Sequence, residues 1–129
     1  MAILGLLLAF GSGWAQTTED NPDRPPGIQI ADLNRQRPVD FKTEVLPIFL
    51  QCWLSCHNTT RAKAELVRES PQTIANGSES GPVVVPGRSD QSLLLMVAAH
   101  RDDPIMAPKN NKAKAPNLAP EQLGILKLW

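Results

Sequence analysis

The sequence predicts a small all-α domain of about three helices joined by long loops. Apolar residues recur at helical spacing from Phe41 to Cys52, fill the run from Leu93 to Ala99, and return after Pro120. Between these runs the chain is punctuated by Asn76-Gly77, Gly81-Pro82, Pro86-Gly87 and the stretch from Pro104 to Pro116. Val83, Val84 and Val85 are the one β-like cluster, and flanking prolines make them an extended connector rather than a buried strand.

At the N-terminus, Ala2 to Phe10 is a short apolar run containing Ile3, Leu4, Leu6, Leu7 and Leu8, followed by Gly13-Trp14-Ala15. Small residues at the first and third places of that triplet fit cleavage after Ala15, so residues 1–15 are expected to be a signal peptide. The alternative is a buried or interfacial helix. The run is far shorter than the roughly 20 apolar residues that span a bilayer, so no transmembrane span is expected. No Lys or Arg precedes it, which a start codon assigned too far downstream would explain. Export to the periplasm or the exterior is the implied consequence. Residues 16–38, with Asn21-Pro22-Asp23-Arg24-Pro25-Pro26-Gly27, read as a flexible polar linker; Ile28-Gln29-Ile30 is a weak candidate for a docked strand.

Residues 39–129 are the expected folded domain. Asp40 is a good N-cap, and Phe41, Val45, Ile48, Phe49 and Cys52 share one face of a first helix over about 41–51. Pro47 predicts a kink or early stop there. Ser89 is the expected cap of a second helix ending near His100. Pro120-Glu121-Gln122 opens a third, whose buried side is Leu123, Ile125 and Leu126. That helix reaches Trp129 with no terminating residue, which reads as a truncated last helix.

Composition narrows the function. The 129 residues carry 13 basic and 13 acidic side chains, so no net field draws nucleic acid or an anionic membrane. Roughly ninety residues remain to fold, a size at which burial is marginal. Aromatic residues are only 5% of the chain, with no Tyr, and long loops in so small a domain call for a central organiser. A flat apolar cofactor would serve.

Gln51-Cys52-Trp53-Leu54-Ser55-Cys56-His57-Asn58 supplies its attachment chemistry. Covalent haem binding needs two thiols on one side of a turn and a His directly after the second, usually as CxxCH. Here the spacing is CxxxCH. Thiols at i and i+4 still share a helical face, and either one or two thioether bonds is compatible. A Cys52–Cys56 disulfide is the rival expected of an exported protein. A thioredoxin-type site would want a CxxC beside a βαβ pattern. Zinc would need His100 and a fourth ligand that is not evident.

The second iron ligand is Met106, in the proline-stiffened Asp103-Pro104-Ile105-Met106-Ala107-Pro108-Lys109 loop; His/Met ligation raises a haem potential. Its other reading is a loop methionine covering apolar surface. His100 is the competing ligand, against a solvent-exposed His at a helix end. Met96 reads as core. Glu44, Glu65, Glu69, Asp102 and Asp103 read as solvated charges, and no acid, base or nucleophile set marks an independent catalyst.

From about Val39 to Trp129 the chain resembles the planctomycete-type cytochrome c domain. The resemblance rests on Val45-Leu46-Pro47-Ile48, on Ser55-Cys56-His57-Asn58, and on Gly77-Ser78-Glu79-Ser80-Gly81-Pro82 leading to Val85-Pro86-Gly87. It continues through Ser89, Ser92-Leu93-Leu94, Met106-Ala107-Pro108-Lys109 and Leu118-Ala119-Pro120-Glu121-Gln122. It implies haem c as cofactor, a cytochrome c-like fold around it, His57 as proximal and Met106 as distal iron ligand, and one-electron transfer to a redox partner protein. Such domains usually carry the two-residue cysteine spacing and Met-Pro-Pro at the loop, where this chain has three residues and Met106-Ala107-Pro108. They are often followed by a further region, such as a WD-repeat β-propeller. By analogy with cytochromes c, the carbonyl of Pro82 would accept a hydrogen bond from the far nitrogen of His57; the alternative is that Gly81-Pro82 is only a turn. The competing class is a non-haem binding module of a larger protein, held by a Cys52–Cys56 disulfide, and a haem sensor is a third.

Overall fold

The computed structural model describes residues 22–53, 70–79 and 81–129. The expected signal peptide, Cys56 and His57 lie outside the described residues. Four α-helices run in the order α1 (Leu46–Cys52), α2 (Pro71–Ala75), α3 (Leu93–Ala98) and α4 (Pro120–Leu128). Among the described residues there is no strand, only an isolated Ser78–Gly81 bridge. The all-α expectation holds, with one helix more than the periodicity predicted.

The first helical segment starts where Asp40 says it should. Its Oδ1 accepts from the Thr43 amide at 2.8 Å and the Thr43 hydroxyl at 2.9 Å. The segment from Phe41 to Cys52 is not one kinked helix, however. Phe41–Val45 forms a wider π turn, closed by the Leu46 amide donating to Phe41 O, and only then does α1 begin. Pro47 explains the division. It has no amide for the carbonyl of Thr43 and its ring crowds that carbonyl, whereas in the first turn of a new helix the missing donor is no loss. Val45, Ile48, Phe49 and Cys52 are buried as the spacing predicts, and Trp53 stacks on Phe49 at 5.2 Å between ring centroids.

Helix α2 has a single buried residue, Ile74, and so has no apolar period to read. Its capping box fixes it instead: the Ser70 Oγ accepts from the Thr73 amide at 3.1 Å and the Thr73 Oγ1 accepts from the Ser70 amide at 3.0 Å. Gly77 then turns the chain at φ 79°, where a Cβ would lie 2.6 Å from Gly81 O. Val83 to Val85 is an extended connector, tied to the next helix by Leu94 N–H donating to Val83 O at 2.9 Å.

Ser89 does not cap α3. It heads a short 3₁₀ turn, Ser89–Gln91, and Ser92 takes the cap position. The Ser92 hydroxyl serves the connector, accepting from the Val85 amide at 2.9 Å and donating to Arg88 O at 3.1 Å. Leu94, Leu95, Val97 and Ala98 are buried, while Leu93 and Met96 cover the core edge. Helix α4 opens on Pro120, with the Gln122 Oε1 accepting from the Ala119 amide at 2.8 Å. Leu123 and Leu126 are buried and Ile125 is half-buried against the same core.

The proline-rich stretch before Asp40 contributes to that core. Ile28 N–H donates to Ala99 O at 2.8 Å and Ala31 N–H to Pro120 O at 3.0 Å, so residues 28–31 bridge the end of α3 and the start of α4. Ile28 and Ile30 pack on the core without forming a strand. Gly124 makes room: a Cβ there would meet Ala31 O at 2.6 Å and Leu33 Cγ at 2.9 Å. Glu44, expected as a solvated charge, is instead 14% exposed and bonded by both carboxylate oxygens to Arg35, at 2.6 and 3.0 Å. Arg37 and the Asp40 amide join it at 3.3 and 2.9 Å. No helix among the described residues is long and apolar enough to cross a membrane.

This packing makes two outcomes measurable. Gly124→Ala would force Ala31 away from α4; overpacking of this kind lowers stability by about 1–3 kcal/mol, of which better helix propensity returns up to about 1 kcal/mol. Equilibrium denaturation reads the loss and amide exchange at Ala31 reads the displacement; an Ala31 amide as protected as before would refute the contact. Arg35 above all holds the Glu44 carboxyl down from 4.5 to about 2. A carboxyl lowered on folding stabilises the protein above its ordinary range, and that contribution fades between pH 4.5 and about 2. Glu44→Gln should therefore flatten the acid limb of a stability-against-pH curve in that window. Parallel curves for the two proteins would show the ion pair to be inert.

Candidate functional site

Cys52 is the last residue of α1 and is 1% exposed, a free thiol facing the core that Leu94, Leu95, Ala98 and Ala99 of the α3 region complete. Burial in these surroundings pushes the thiol pKa up, so the neutral sulfur is favoured over thiolate. That opposes nucleophilic or redox use of the folded thiol. It does not oppose a thioether, which is uncharged and apolar.

Met106 is held at the end of α3. The chain leaves that helix at Ala99, crosses His100, and returns so that the Met106 amide donates to Val97 O at 3.1 Å. The side chain is half-buried and Ala107 beyond it is 7% exposed. Asn111 sets the rest of the loop, its Oδ1 accepting from the Ala115 amide at 2.6 Å and its Nδ2 donating to Pro108 O at 2.8 Å. Prolines were the visible stiffeners, yet these side-chain bonds do much of the fixing.

His100 is the main correction to the sequence reading. It is not a solvated helix-end histidine but is 5% exposed, with φ 59° at the position just past the α3 cap. Its Nε2 lies 3.3 Å from Asn117 Oδ1, and its Nδ1 is buried with no hydrogen-bond partner. His100 and Met106 also meet at one atom, since the His100 amide donates to Val97 O at 3.2 Å. Nothing in the sequence marked Asn117, seventeen positions downstream.

Pro82 is exposed and comes directly after the Gly81 turn. Through Val83 O it lies beside the start of α3, whereas Met106 lies beside its end. Six residues of helix put about 9 Å between those ends. Met106 and Pro82 are thus held near opposite ends of α3, and Cys52 lies in the core that α3 helps to build. Among the described residues no group of three or more His, Cys, Asp or Glu is placed to hold a metal ion. The described candidates are one buried sulfur, one half-buried sulfur and one buried imidazole. Such a set fits a haem, which brings its own nitrogen ligands and asks the protein for axial donors and apolar walls.

The fold and the described residues define a small helical domain. The family described as Planctomycete cytochrome C matches residues 53–110, in agreement with the resemblance seen in the sequence. The matched segment contains Cys56, His57, Pro82, His100 and Met106 and begins one residue after Cys52. No curated protein and no solved structure matches the chain.

Proposed function

We propose that the chain is an exported c-type cytochrome domain, with haem c attached at Cys52 and Cys56 and its iron held by His57 and Met106. The observation that carries this reading is the anchoring of the Met106 amide on Val97 O, at the end of a helix whose buried residues belong to the same core as Cys52. The family match over Cys56, His57 and Met106 supports it independently. Bound haem supplies a one-electron ferrous/ferric couple, passed to a redox partner protein. The chain's own residues do the rest. Met106 offers a neutral sulfur that favours the reduced form and so raises the potential. Cys52 would hold the haem through a thioether, its S–H adding across a vinyl C=C of the cofactor, and its place in the core would close that bond from solvent. The Pro82 carbonyl is the proposed acceptor for the far nitrogen of His57, fixing its ring. Residues 1–15 direct export, and a further domain after Trp129, such as a WD-repeat β-propeller, is part of the same proposal.

Expression with a cytochrome c maturation system tests the attachment. The haem spectrum should stay with the polypeptide after denaturation; haem that washes away would leave the Cys52–Cys56 disulfide module standing instead. Ligation is tested separately. Met106→Ala should abolish the sulfur-to-iron charge-transfer band and lower the reduction potential, and a band that persists in that variant would remove Met106 from the iron.

A further inference from the structure

We propose that His100 is a reserve ligand for the haem iron, binding through Nδ1 on the face that Met106 occupies when the methionine sulfur is displaced. The inference rests on the haem reading above and concerns what else can reach the same coordination position.

The ring is set up as a ligand. Asn117 Oδ1, at 3.3 Å from Nε2, can only accept a hydrogen bond. Nε2 therefore carries a hydrogen, and in the tautomer whose single N–H is at Nε2 the ring presents a lone pair at Nδ1. That nitrogen is buried and has no partner. Metal-binding histidines are held in this way, with the far N–H given to an oxygen that fixes tautomer and ring orientation. A bare lone pair cannot donate to an anion, and a nitrogen closed to solvent has no water to draw on. A Lewis-acidic centre suits it.

Position points the same way. The backbone amides of His100 and Met106 converge on Val97 O, at 3.2 and 3.1 Å, so the two residues are tied to one point at the end of α3. His100 also occupies the left-handed conformation, φ 59°, just past the helix cap, where glycine would sit without strain. A strained backbone and an unsatisfied buried nitrogen in one residue are the kind of outlier that marks a functional site. The exchange is simple chemically. The sulfur–iron bond breaks, a nitrogen–iron bond forms, both donors are neutral two-electron ligands, and the Nε2 proton stays on its bond to Asn117.

The test uses the full chain loaded with haem. Oxidised Met106→Ala should remain low-spin, with a bis-nitrogen electron paramagnetic resonance signal in place of the sulfur band. Met106→Ala/His100→Ala should be high-spin, and added imidazole should return it to low spin. A high-spin Met106→Ala protein, or a double variant that stays low-spin without imidazole, overturns the proposal. The unaltered protein gives a second route should Met106→Ala not accumulate. Mild guanidinium that removes the sulfur band should bring in the bis-nitrogen signal, and His100→Phe should convert that response to high spin. Loss of the sulfur band directly to high spin in the unaltered protein overturns the proposal as well. Purified protein holding no haem overturns the haem reading itself, an outcome distinct from a haem-loaded, high-spin Met106→Ala protein.

Discussion

Most of the described site hangs on the carbonyl of Val97. The last carbonyls of a helix have no partner within it and must find one elsewhere. Here Val97 O takes the His100 amide from the turn that ends α3 and the Met106 amide from the returning loop. A helix end that would otherwise face solvent becomes the anchor of the loop bearing the candidate sulfur ligand. Because α3 is buried along Leu94, Leu95, Val97 and Ala98, that anchor is part of the core to which Cys52 also belongs.

The same economy runs through the rest of the domain. The four described helices are short, none exceeding nine residues, and isolated helices of that length are not stable in water. They persist through caps and through segments with no regular structure. Ser92, at the cap position of α3, uses its hydroxyl to staple the Val83–Val85 connector to that helix. Residues 28–33 close the seam between α3 and α4, and Gly124 lets them approach. Glu44 gathers Arg35, Arg37 and the Asp40 amide at the mouth of the first helical turn. A small core with few aromatic residues is supplemented by this belt of polar bonds.

How much of this was legible depended on whether a feature was periodic or relational. The helical spacing of Val45, Ile48, Phe49 and Cys52, and the apolar run from Leu93, announced α1 and α3 because burial alone dictates them. Pro120 marked the start of α4 for the same local reason. Helix α2 escaped because one buried residue, Ile74, makes no pattern, although Ser70 and Thr73 carried a capping signature that a residue-by-residue search would find. The docking of Ile28 and Ala31 was hidden by proline-rich composition, since the bonds that hold them are made to Ala99 and Pro120, far along the chain. His100 was misread for a similar reason. A histidine at a helix end is ordinarily solvated, and its burial here depends on Asn117 and the returning loop, which no local rule couples to it.

His100 also shows what the site asks of a small domain. Leaving one buried polar atom unsatisfied costs about 1–3 kcal/mol, and a non-glycine residue in the left-handed region adds roughly 1–2 kcal/mol more. Against a total stability on the order of 5–15 kcal/mol, that is a substantial share concentrated in one side chain. Glycine at this position would remove the backbone strain, and an apolar residue would remove the orphaned nitrogen, so neither burden is imposed by the fold itself. The backbone bond from His100 to Val97 O would survive either change. What would be lost is an imidazole held by Asn117 with its lone pair free beside the Met106 loop. The backbone role of the position is thus separable from its side chain, whose one polar contact is with Asn117.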